Sequence, residues 1–138
     1  METFIIKKLK LRHGSRAALL NAPAEYPAAL GELPQGVELH DQLDGNFDWI
    51  LLFVRGQAEL GMFFPGIEQH PRPVSLLWIA FPKGSSGIQS NLTRDRGWER
   101  IEPANLKWIN LVSLDETWSA FALRPYKPGE KHESPMRR

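Results

Sequence analysis

The sequence predicts a three-layer α/β domain whose sheet is mostly parallel, has about six strands and ends in an antiparallel hairpin. Three observations predict it. The runs Phe47 to Val54 and Val74 to Phe81 are apolar almost throughout, as strands covered on both faces are. Each is followed by glycines and helix signals rather than by another strand, the order that parallel strands need. Near the end, Trp108 to Leu114 and Trp118 to Arg124 flank the turn Asp115-Glu116-Thr117, which is a hairpin pattern.

The chain has 138 residues, 42 % of them hydrophobic, with five Trp and seven Phe. That is one domain, long enough to bury roughly two-thirds of its unfolded surface. It holds no cysteine, which excludes disulfides, thiolate metal sites and a cysteine nucleophile. The start is basic (Lys7, Lys8, Lys10, Arg12, Arg16) but lacks the unbroken apolar core of a signal peptide. The longest apolar run falls far short of the ~20 residues that span a bilayer. A soluble, cytoplasmic protein without membrane contact is expected, and the sequon Asn91-Leu92-Thr93 then carries no glycan. Net charge is +1, but unevenly spread: +4 over residues 1–24, −7 over 25–71 and +4 over 72–138. The basic and acidic parts are expected to fold against each other. A nucleic-acid domain usually has a far more basic balance, so nucleic acid is not the expected partner.

In order along the chain, Phe4 to Leu9 offers one helical turn or a loose lead-in, and Gly14 turns the chain. Arg16 to Leu20 is the first strand. Asn21-Ala22-Pro23 opens a helix that runs to about Leu30, with Gly31 as its left-handed stop. Val37 to His40 alternates and reads as a second, edge strand. Asp44-Gly45-Asn46 is a turn before the third strand, Phe47 to Val54. Only Asp41 to Asn46 links strands two and three, so their relative direction stays open. Leu60, Phe63, Phe64 and Ile67 share one helix face, and Pro65 should break that helix. Pro71-Arg72-Pro73 leads into the fourth strand, Val74 to Phe81, which Pro82 ends. After the loop Lys83 to Gly87, Ser90 or Asn91 caps a short helix carrying Thr93, Arg94, Asp95 and Trp98. In the hairpin, Ser119, Phe121 and Leu123 share one face and Trp118, Ala120 and Ala122 the other. Residues 126–138 are rich in Pro, Gly and charge and are expected to form a disordered tail.

Several stretches carry a family resemblance. K-K-L-K-L-R-H-G-S-R-A-A-L-L-N-A-P (7–23), F-D-W-I-L-L-F-V (47–54), L-L-W-I-A-F-P-K-G-S-S-G (76–87), T-R-D-R-G-W (93–98) and D-E-T-W-S-A (115–120) resemble a bacterial domain-of-unknown-function family. The specific motifs are T-R-D-x-G-W and D-x-T-W-S-A, and the resemblance covers about residues 5 to 125. It implies a small cytoplasmic α/β protein and no particular reaction. More distantly the layout resembles a shortened class I methyltransferase domain, which implies a Rossmann-like sheet. Those enzymes have a Gly-rich turn after the first strand, where this chain has Asn21-Ala22-Pro23-Ala24-Glu25. Asp41 would be the acidic residue for the ribose.

The candidate ligand site is Lys83, Gly84, Ser85, Ser86 and Gly87 with Thr93, Arg94 and Asp95. Two glycines let backbone N–H groups converge, serines donate hydroxyls, and Lys83 adds charge. Arg94 could grip an anion from two sides, with Asp95 orienting it. The alternative is a plain surface turn and a structural ion pair, with Trp98 packing the core. The loop is neither a P-loop nor a nucleophile elbow, because the Gly-Lys-Ser/Thr order is absent and Gly-x-Ser-x-Gly fails at Ile88. Asp115 and Thr117 could face the same edge, but a hairpin turn needs such residues anyway. His13, His40, His70 and His132 lack ligand spacing, and His40-Asp41-x-x-Asp44 matches no calcium loop, so no metal is expected. No catalytic residue is assigned. The sequence therefore points first to a non-catalytic module binding a small anionic ligand or a protein partner. A small transferase-like enzyme working at Lys83 to Gly87 and Arg94 is the alternative. Nucleic-acid binding through Lys7 to Arg16 comes third.

Overall fold

The computed structural model describes residues 4–69 and 74–130. Six strands form one sheet in the order β2-β1-β3-β4-β6-β5. They are β1 (Arg16–Leu20), β2 (Glu38–His40), β3 (Trp49–Phe53), β4 (Leu76–Pro82), β5 (Leu106–Ser113) and β6 (Trp118–Pro125). The helices are α1 (Phe4–Lys8) and α2 (Gln57–Glu68). Strands β2, β1, β3 and β4 run parallel, and β6 is antiparallel to both β4 and β5. The carboxyl ends of β1 to β5 therefore lie on one edge.

Apolar alternation builds a core on each face. On one, Ile50, Leu52, Ile79, Phe121 and Leu123 meet Leu60, Phe64 and Ile67 of α2, with Trp98 sealing the end. Burying each of these three α2 side chains contributes roughly 1.5–3 kcal/mol. On the other face, Leu51, Trp78, Ala120 and Ala122 meet Ile6, Leu9, Tyr26 and Leu30. The two faces of β6 are divided as its alternation predicts. The short α1 is clamped there, because the buried Leu9 carbonyl accepts the indole N–H of both Trp49 and Trp78, each at 2.8 Å.

The structure settles the direction left open by the sequence and corrects several expectations. Strands β2 and β3 both pair in parallel with β1, which lies between them, so the two are parallel and never neighbours. Three residues in β2 leave a short climb, and the link from Asp41 passes over β1. The helix expected from Pro23 to Leu30 is a run of turns with a single 3-10 turn, Ala28–Leu30. Pro27 has no N–H for a helical bond and disfavours helical backbone at Tyr26. Pro65 does not break α2, which runs through it to Glu68. Its missing hydrogen bond is outweighed by Phe64 and Ile67, buried on either side. Pro82 does end β4, as its last residue, opposite Trp118. At the start of the expected tail, the Glu130 N–H bonds the Lys127 carbonyl at 3.0 Å in a turn. Arg124 and Lys107 hold Glu130 with contacts of 2.7 Å, and these hydrogen bonds keep its carboxyl far below the usual carboxylate range. Residues 131–138, the rest of that expected tail, lie outside the described residues, as do His70 and Pro71-Arg72-Pro73.

Candidate functional site

The fourth strand delivers Lys83 to the carboxyl edge. Its backbone N–H still bonds Thr117 of the hairpin turn at 2.8 Å, and then Gly84–Ser86 closes one 3-10 turn. Gly87 ends that turn at φ 84°, a left-handed conformation that favours glycine. The Ser86 hydroxyl accepts the Ile88 N–H at 3.2 Å, so it shapes the loop.

No helix follows. Residues 88–98 are irregular, and of the two residues expected to cap a helix there, Asn91 caps α2 instead and Ser90 binds the chain just ahead of α2. Asn91 Oδ1 accepts the Gln57 N–H at 2.8 Å, satisfying one of the orphan donors at the α2 N-terminus. The Ser90 hydroxyl donates to the Arg55 carbonyl at 2.6 Å. The chain then turns tightly: Thr93 N–H bonds the Arg96 carbonyl at 3.0 Å, and the buried Trp98 indole donates to the Thr93 carbonyl at 2.6 Å. Gly97, at φ 98°, is enclosed so closely that an added Cβ would meet the Asn91 carbonyl oxygen at 2.6 Å. The T-R-D-x-G-W motif is thus a turn with a tryptophan anchor, and Trp98 packs edge-on against Phe81, Trp108 and Phe121.

This turn faces the Lys83 loop. Phe81, Pro82, Lys83, Gly84, Ser85, Thr93, Arg94, Leu111 and Ser119 line one cleft of about 210 Å³. Of the eight candidate residues, Lys83, Gly84, Ser85, Thr93 and Arg94 are thereby brought together, while Ser86, Gly87 and Asp95 do not line it. Asp95 lies 3.5 Å from Arg94 Nε, and both side chains are about two-thirds exposed (68 % and 65 %), so this is a weak, solvated pair. Lys83 Nζ donates to the Ser113 hydroxyl at 2.5 Å.

The D-x-T-W-S-A motif is a turn as well. Asp115 Oδ1 accepts the N–H groups of Thr117 and Trp118, each at 2.8 Å, and Oδ2 accepts the Tyr26 hydroxyl at 3.0 Å. Burial, then the Asp115 charge, pushes the Tyr26 phenol well above its ordinary value.

Open parallel sheets bind ligands where the strand order reverses, here between β1 and β3. That crevice is latched by the protein itself. Asn21, left-handed at φ 56°, donates its amide to the Phe53 carbonyl at 2.8 Å and to Glu59 at 3.1 Å. Glu59 also accepts the Arg55 N–H at 2.7 Å. Sequence reasoning missed this latch. Its one signal is an asparagine where a cofactor-binding turn would place glycine.

A second cavity, about 280 Å³, opens at the opposite edge and is lined mainly by Phe64, Ile67, Leu77, Leu106, Leu123 and Pro125. It is the more enclosed of the two, and the charged side chain in its lining is Glu68, paired with Arg100 at 2.7 Å, rather than a cation. Among the described residues there is no group of three or more His, Asp or Glu side chains placed to hold a metal ion, and no helix long and apolar enough to cross a membrane.

No family model and no curated protein matches the chain. Solved structures do. One is a protein in the NADB-Rossmann superfamily from Streptococcus agalactiae, at TM-score 0.52 and 10 % identity, covering 95 % of this chain and 72 % of that one. This chain has a Rossmann-like fold. TrmN from Thermus thermophilus aligns at TM-score 0.49 and 10 % identity over 88 % of this chain, which spans 47 % of TrmN. An uncharacterised protein from Listeria monocytogenes serotype 4b aligns at TM-score 0.45 and 10 % identity, over 96 % of this chain and 72 % of that one.

Proposed function

We propose that this chain is a non-catalytic Rossmann-like module that binds a small anionic ligand in the Lys83–Arg94 cleft. One observation carries the reading. Two segments separated in sequence converge to set an ammonium, a guanidinium and the Ser85 and Thr93 side chains around one concavity at the carboxyl edge. Among the described residues no buried carboxylate neutralises either cation, and the walls below are the buried Phe81 and Pro82. An anion there meets fixed positive charge over an apolar floor. The latched crevice at β1 and β3 supports a site away from the usual cofactor position.

The test is a thermal-shift panel of inorganic phosphate, sugar phosphates, adenine nucleotides and adenosylmethionine. A ligand at a hundred times its dissociation constant stabilises by ~2.7 kcal/mol, which raises the midpoint by roughly 4 °C or more for a chain of this size. Phosphate-bearing compounds are expected to give the shift, and Lys83→Ala or Arg94→Ala to abolish it. Silence from every anion would move the reading to a protein partner.

A second reading is a small transferase-like enzyme at the same cleft. The sheet order favours it: without β6 it is β2-β1-β3-β4-β5, the doubly wound Rossmann order lacking one outer strand. A shift with adenosylmethionine, lost on substitution of Lys83 or Arg94, together with transfer of its methyl group to an acceptor, would support it.

A further inference from the structure

Resting on that reading of the cleft, we infer that the ligand carries two adjacent anionic groups, pyrophosphate being the smallest case, and that Lys8 supplies the second contact. Ser113, the last residue of β5, is gripped by two ammonium groups. Lys8 Nζ donates to its carbonyl at 2.8 Å and Lys83 Nζ to its hydroxyl at 2.5 Å. The hydroxyl in turn donates to the Asp115 carbonyl at 3.4 Å. The two like charges therefore converge on one residue from distant parts of the chain, and they repel each other.

No carboxylate offsets them. Among the described residues, Lys8 meets only the Ser113 carbonyl and the Phe4 ring, 4.9 Å away, and Lys83 meets only Ser113. The ordinary reason for clustered surface cations, an ion-pair network, does not apply here. A doubly anionic ligand removes the repulsion and bonds both ammonium groups at once.

Lys8 is also held in place. A five-residue helix has no stability of its own, yet the Trp49 and Trp78 indoles fix the carbonyl of Leu9, the next residue. Ile6 is fully buried on the same turn. The Lys8 stem thus leaves a rigid base and loses little freedom on binding. A single anion is served by Lys83 and Arg94. Lys8 comes from the α1 face and does not line the cleft, so a second anionic group would meet it across the end of β5 at Ser113.

Calorimetric titration of the full chain with orthophosphate and with pyrophosphate tests this. Pyrophosphate is expected to bind roughly tenfold more tightly, the effect of one added charged hydrogen bond. Lys8→Gln should remove that advantage and leave orthophosphate affinity unchanged, and Lys8→Arg should keep it. Lys7→Gln, an exposed neighbour on the same helix, should change neither. Equal binding of the two anions overturns the inference while the cleft reading stands. So does an equal loss in Lys7→Gln and Lys8→Gln, which would mark a general field. Failure of both anions to bind overturns the cleft reading and this inference with it.

Discussion

Two places on the carboxyl edge of one sheet have opposite fates. Between β1 and β3, where topology favours a ligand, Asn21, Glu59 and the Arg55 backbone bridge the crevice with three hydrogen bonds of 2.7 to 3.1 Å, and a broad concavity of about 530 Å³ opens beside them along Arg55, Gln57, Glu59 and Asn91. Beyond β4, where topology offers nothing special, Lys83, Thr93 and Arg94 surround an open cleft whose cations lack buried partners. Strand order says where backbone ends converge. Side chains decide whether that place is filled from within or left for a ligand. The loop from Ser90 to Trp98 joins the two regions, because Asn91 caps α2 beside the latch while Thr93 and Arg94 form one wall of the cleft.

That shared loop gives the largest expected effect. Gly97→Ala forces a left-handed residue into contact with the Asn91 carbonyl and Leu92, at 2.6 and 2.9 Å. Strain and overlap together should cost about 3 kcal/mol, read as a drop in urea midpoint at unchanged m, and should weaken anion binding too. If stability fell while binding held, the two regions would be independent.

Asn21→Ala comes next. It removes two hydrogen bonds and leaves alanine at φ 56°, for an expected loss of about 2 kcal/mol. The cleft should bind anions as before, because none of its lining residues touches the latch. Glu59→Gln keeps the size and one acceptor oxygen but loses the charge paired with Arg55 at 3.2 Å. A loss of about 1 kcal/mol in chemical denaturation is expected, with amide exchange at Arg55 accelerated. Lys83→Ala should be the mildest, within about 0.5 kcal/mol of the parent, because the residue carries no buried contact. A large fall in its melting midpoint would show that the loop is structural and would remove the contrast between the regions.

Much of this fold was legible. Trp49 to Phe53 and Leu76 to Pro82 announce themselves because strands buried on both faces must be apolar at every position. The faces of β6 follow from alternation alone. Misreadings arose where a local signal found a distant partner. Ser90 and Asn91 have cap chemistry, and Asn91 does cap a helix, but it is α2, more than thirty residues earlier, while Ser90 holds the Arg55 carbonyl just ahead of it. Pro65 has breaker chemistry, yet the apolar face around it is buried deeply enough to carry the helix past it. The candidate site was legible in part. Lys83, Gly84, Ser85, Thr93 and Arg94 were chosen for their chemistry and do share one cleft. Ser113 and Lys8 carried no signal, since a serine at a strand end and a lysine in a basic run are common.

By itself the sequence determined the α/β class, the central strands and the closing hairpin, because hydrophobic period and turn chemistry are local properties of the chain. Only the tertiary structure decided which strands neighbour one another, that β1 separates β2 from β3, and that the usual ligand crevice is latched. It alone brought Lys8, Lys83 and Ser113 together. Contacts of that kind depend on the crossing of segments far apart in the chain, and no local pattern encodes where two distant side chains will meet.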